Sequence, residues 1–148
     1  RYRPVQGISL DQRAGDRPAG GPGVFFAELT DLLCEAVQIT ADLNQQMEGG
    51  GTKREHLENI EKQTGKQQIP DFAIPIEGEH IWNWFWELSG RRPQGFGPSI
   101  IPYSEYKAWL EVRKPLIYDW EIEILTKMDR AFLEGCQEAK KDNRRGPG

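Results

Sequence analysis

The chain has 148 residues, a net charge of −4 and 37% hydrophobic residues, enough for one domain with a real core. Aromatic and aliphatic residues concentrate between Pro70 and Cys136, so one compact domain with appendages is expected. The charge balance excludes a broad nucleic-acid footprint, and no apolar run approaches the roughly 18 to 20 residues that cross a bilayer, so neither nucleic acid nor membrane is an expected partner.

Residues 1–23 carry four Arg against two Asp, and Gly7, Gly15, Gly20, Gly21 and Gly23 alternate with Pro4, Pro18 and Pro22. With little to bury, they read as a flexible arm. No signal-type apolar region follows this basic start, and the chain, which does not open on Met, reads as trimmed and cytosolic. GGPG at 20–23 lacks the Lys-Ser/Thr end of a phosphate loop. From Val24 the spacing changes. Phe25, Phe26, Leu29, Leu32, Leu33, Ala36, Val37 and Leu43 recur at helical intervals, predicting a long amphipathic helix to Met47. Residues 24–51 hold five acids and no base, and Glu28, Asp31 and Glu35 suit the positive end of the helix dipole. Gly49, Gly50 and Gly51 stop the helix and read as a hinge, about which it moves unless a partner or a second copy fixes it.

Thr52 and Glu55 have the spacing of a capping box, opening a short polar helix to about Gln63 anchored by Leu57 and Ile60. Between Gly65 and Gly78, Pro70 and Pro75 exclude a helix and predict an extended strap pinned across the core by its apolar residues. The densest signal is IWNWFWELSGRR at 81–92, with three of the five tryptophans. At about 100° per residue, Ile81, Trp84, Phe85 and Leu88 share one face, while Trp82 and Trp86 lie roughly 100° to 140° round. Only Glu79, His80, Asn83 and Glu87 remain for water. So wide an apolar face implies deep burial or a surface kept for a partner. A Gly/Pro loop follows, and Ser104 is the expected cap of a helix through Tyr106, Trp109, Leu110 and Val112. After a turn at Lys114 and Pro115, Asp119 is the expected cap of a last helix. Trp120, Ile124, Leu125, Met128, Phe132 and Cys136 mark its buried face, and residues 138–148 form a basic tail.

The fold class is therefore mainly α: a small helical domain with an extended Pro-containing strap, preceded by a long amphipathic helix and a flexible arm. Cys34 and Cys136 sit on apolar helix positions and read as two buried, reduced thiols. His56 and His80 lie in unlike contexts without further ligands at metal spacing, so no metal or other cofactor is expected. Glu77 and Glu79 beside His80 come with no pocket or nucleophile, and the chain does not read as an enzyme.

WNWFWELSGRR, then PYSEYKAW, then YDWEIEILTKMDRAFL, in that order, resembles the tail assembly chaperones of long-tailed bacteriophages. The likeness covers about residues 52–135, and is closest to the downstream segment of the frameshifted, longer form. The residues that carry it are Trp82, Phe85, Leu88, Arg92, Ser104, Glu105, Trp109, Trp120, Glu121, Asp129 and Leu133. Val112, Arg113 and Lys114 depart from the family's pattern, which tends to place Thr and Gly in this turn. The chain therefore reads as an arm (1–23), a helix with a glycine hinge (24–51), a chaperone-like domain (52–137) and a tail (138–148), with residues 1–51 outside the resemblance. The resemblance implies a non-enzymatic factor in the cytoplasm of the infected host that shields apolar helices of the tape-measure protein and gathers tail-tube subunits, with homo-oligomerisation as a further expectation.

Trp82, Trp86, Phe85, Arg91 and Arg92 are the candidate partner-binding residues. Each has a plainer reading: the aromatic residues as core, the arginines as a cap on the helix that precedes them. A rival function is a structural component of the virion tail or neck whose arm threads a neighbouring subunit. Gly49–Gly51 is compatible with a ribosomal slippage site, or with a plain helix stop.

Overall fold

The apolar repeat from Phe25 onward forms α1 (Pro22–Leu43), and the chain then continues through four more helices in the computed structural model, which describes residues 22–93, 95 and 97–145. These are α2 (Lys53–Thr64), α3 (Glu79–Ser89), α4 (Tyr103–Arg113) and α5 (Asp119–Arg145). The expected arm lies outside the described residues up to residue 21, as do 146–148 of the expected tail. The rest of that tail continues α5 as helix to Arg145.

α1 stops at Leu43, short of the expected Met47, and the glycines do not form a free hinge. Gly49, Gly50 and Gly51 adopt φ of 91°, 97° and 77°, conformations that suit residues without a Cβ. Across this turn Met47 N–H donates to Gly51 O at 2.9 Å and Lys53 N–H to Gln45 O at 2.9 Å. Lys53 also pairs with Asp42 at 2.8 Å, so both ends of the turn are fastened. Beyond it, α1 runs along α5 as the most extensive helix pairing of the molecule. Gly135 makes that approach possible: a Cβ there would lie 2.5 Å from the Gln38 carbonyl oxygen. The expected moving helix is therefore corrected to one built into the core.

The Thr52 side chain accepts from Glu55 N–H while Glu55 accepts from Thr52 N–H, the predicted capping box. α2 is otherwise a surface helix; Leu57 is half-buried, whereas Ile60 is exposed and not the expected anchor. Gly65 ends it in the left-handed conformation. The Glu61 carboxylate then receives the N–H groups of Gln68 and Ile69 at 2.8 and 2.9 Å, which fixes where the extended segment leaves α2. Ile69, Phe72, Ala73 and Ile74 turn into the core, and a single 3-10 turn, Ile76–Gly78, leads into α3.

Leu29, Leu33 and Val37 of α1, Ile81, Phe85 and Leu88 of α3, and Leu125 and Met128 of α5 are fully buried in one cluster. Each such side chain contributes roughly 1.5 to 3 kcal/mol by leaving water. Two expected caps differ. α4 starts at Tyr103 with Pro102, not Ser104, at the cap position, and Glu105 N–H bonds to the Pro102 carbonyl. At α5 the helix already includes Asp119; the Tyr118 carbonyl accepts from Glu121 and Ile122 N–H, and the Glu121 carboxylate accepts from Tyr118 N–H at 2.9 Å.

Candidate partner-binding surface

Of the five candidate residues, three are held within the chain's own packing. Phe85 is fully buried, as its place on the core face requires. Trp82, expected off that face, is only 6% exposed, because Phe72 from the extended segment packs on it with ring centroids 6.0 Å apart. Trp84 shows more surface than Trp82, the reverse of the helical-wheel expectation. Trp86 is half-buried between Trp82, Phe85 and Phe132.

Arg92 turns inward. Its Nη1 meets Asp129 Oδ1 at 2.5 Å and donates to Ser99 O at 2.6 Å, and its guanidinium lies 4.2 Å from the centre of the Phe132 ring. Asp129 Oδ2 accepts from Ile101 N–H at 2.9 Å. One buried ion pair thus closes both ends of the loop between α3 and α4. Burial, and secondarily the Asp129 carboxylate, raise the neighbouring Tyr106 phenol above its usual range, so it stays neutral. Arg91 remains exposed and reaches across to Glu105 of α4 at 2.9 Å. Neighbouring motif residues have similar structural duties: Glu87 accepts from Trp109 Nε1 and from Arg113, and His80 pairs with the buried Glu121 carboxylate.

Apolar surface is exposed instead where α4 ends. Val112 is 81% exposed, Leu116 83% and Tyr118 57%, with Tyr103 at the other end of α4 equally open. Val112, grouped in the sequence with Tyr106, Trp109 and Leu110, falls outside the core: Trp109 is the last buried residue of α4 and Leu110, half-buried, the last to pack against the core cluster. Leu116 and Tyr118 belong to a connection with no helical face to bury them. Apolar side chains placed in a turn between two helices were the available signal. Lys114 ends α4 at φ 45°, in the left-handed region.

Two open grooves flank this framework. One of about 480 Å³ lies between α1 and α5, with Phe26 and Trp120 in ring contact at 4.6 Å and Asp31, Cys34 and Glu123 on its walls. Burial, then Asp31, push the Cys34 thiol up to about 11, which keeps it protonated and a poor nucleophile at neutral pH. Neither Cys34 nor Cys136 forms a disulfide. The other groove, about 400 Å³, lies between α3 and α4 and is lined by Trp109, Ala108 and Val112 with Arg91, Arg113 and Glu87. Among the described residues there is no cluster of His, Cys, Asp and Glu able to hold a metal ion, and no helix is long and apolar enough to cross a membrane. What the surface offers is apolar contact area on a rigid helical frame, suited to holding another helix.

Compared with known proteins, residues 60–134, half of the chain, match the family described as phage tail assembly chaperone. No curated protein and no solved structure matches.

Proposed function

Because the chain belongs to the phage tail assembly chaperone family, we propose that it acts in the infected bacterial cytoplasm by covering apolar helices of the tape-measure protein and bringing tail-tube subunits to them. The observation that carries this reading is the exposed ridge of Val112, Leu116 and Tyr118, which lies within the matched segment. Among the described residues Val112 and Leu116 are the most exposed of the large apolar side chains, above Tyr103, Ile100 and Ile76, and apolar side chains left this open mark a surface available for contact. The partner is an amphipathic helix that would aggregate if left uncovered, and the chaperone contributes binding, with no covalent chemistry. Residues 52–135 stand for the downstream part of the longer family form, a reading supported by a family match that lies wholly past Gly49–Gly51, at residues 60–134. The half-buried Trp86 and exposed Arg91 remain proposed contributors at the edge of the partner surface.

The test is capture of tail proteins by the tagged chain from cells assembling particles. The wild-type chain is expected to retain tape-measure protein, and Leu116→Asp, a change at an exposed position, to lose it while melting at the same temperature. Equal capture by both would remove the ridge from the mechanism, and capture of no tail protein by either would overturn the function.

A further inference from the structure

The groove between α3 and α4 differs from the ridge in carrying charge as well as apolar area. Its floor is Trp109, whose indole N–H is tied to Glu87 at 3.0 Å and whose ring is therefore fixed. Val112 forms one lip. Arg91 and Arg113 stand at the sides, each more than half exposed at the side chain. Their internal partners occupy only part of each guanidinium. Arg91 gives Nε to Glu105, and Arg113 gives Nε and Nη2 to Glu87. Among the described residues neither has a further partner, so the Nη groups of Arg91 and Nη1 of Arg113 keep donors for a ligand. Glu87, the acid in the wall, is already engaged on both oxygens. Lys107 on α4 and Lys114 at its end add exposed positive charge against the exposed Glu111, the other acid of α4, Glu105, being paired with Arg91. A volume of about 400 Å³ admits a few side chains of a helix, not a whole domain.

From this complementarity we infer that the α3–α4 groove takes one turn of an amphipathic partner helix, with an apolar side chain seated on Trp109 and Val112 and flanking Asp or Glu carboxylates meeting Arg91 and Arg113. The inference rests on the chaperone reading above and gives its partner a chemistry: an acid-flanked apolar helix. Arginine holds a carboxylate through paired N–H donors, so the acids fix register while the apolar residue supplies affinity.

The experiment uses the full chain and two synthetic helical peptides of about 20 residues, long enough to hold helix in water. Both have the same Leu/Phe stripe; one is flanked by Glu, the other by Lys. Titration followed by heat release is expected to show the Glu peptide binding at least about tenfold tighter than the Lys peptide, with the advantage shrinking in salt. Val112→Glu, at an exposed lip position, is expected to weaken the Glu peptide at least about tenfold, and the distant exposed substitution Ile60→Glu to leave it unchanged. Equal affinity for the two peptides, no binding of the Glu peptide, or indifference to Val112→Glu overturns the inference. Capture of tape-measure protein by a Val112→Glu chain as strong as by wild type would overturn it too, while leaving the chaperone function standing.

Discussion

Arg92 and Asp129 form a 2.5 Å ion pair with both side chains more than nine-tenths buried, joining the end of α3 to the middle of α5. Removing one member leaves an uncompensated charge in the core, which costs about 3 to 5 kcal/mol, whereas replacing both with apolar residues is often near neutral. Asp129→Ala is therefore expected to lose about that much stability, with Ile101 N–H also losing its acceptor, and Arg92→Met with Asp129→Leu to recover most of it. Chemical denaturation of the three chains checks this; a double variant no better than the single one would mean that the hydrogen bonds to Ser99 and Ile101, and not the charges, set the cost.

Gly135 lies inside a long helix, where alanine ordinarily stabilises by about 1 kcal/mol. Here the new Cβ would meet Gln38 O at 2.5 Å and Ala41 Cβ at 3.0 Å. Gly135→Ala should lower the melting temperature by forcing α1 off α5. A rise in melting temperature would show that α1 does not pack as closely as described and would restore the idea of a mobile first helix.

Lys114 holds φ 45° without the freedom of glycine, at a cost of about 1 kcal/mol. Lys114→Gly should return roughly that amount and raise the thermal midpoint, with the helical circular dichroism signal unchanged. Loss of stability would indicate that the Lys114 side chain holds the turn.

Cys34 is half-buried and Cys136 fully so, yet the more open thiol should also react slowly. Raised to about 11 from an ordinary 9.0, Cys34 has about a hundredfold less thiolate at pH 8 than a free cysteine. Alkylation with iodoacetamide should accelerate with each step of pH through 10, short of unfolding. A rate at pH 8 matching a small free thiol would contradict this environment.

How much of this was legible depends on where each partner lies in the chain. The Thr52–Glu55 box is visible because its members sit three positions apart and need no third element. The Ile81, Phe85 and Leu88 face follows from helical period alone. Trp82 could not be placed that way, since its burial comes from Phe72 on a neighbouring non-helical segment. Arg92 read as a cap or a partner contact because Asp129 is brought to it only by the packing of α3 against α5. Three glycines look alike in sequence whether they form a free joint or a pinned turn; the difference is made by Lys53 reaching Asp42. Val112 was missed because it counts with Tyr106 and Trp109 until α4 is seen to end at Arg113, and Leu116 and Tyr118 because the connection that carries them has no period from which exposure can be read.

The central claim, an assembly factor that binds and then leaves, is tested most directly by quantitative mass spectrometry of purified mature particles beside the lysate that produced them. The account predicts abundant peptides of this chain in the lysate, together with tape-measure protein, and essentially none in the particles. A fixed number of copies per particle, comparable to other tail components, would contradict it and make the chain a structural part of the tail or neck.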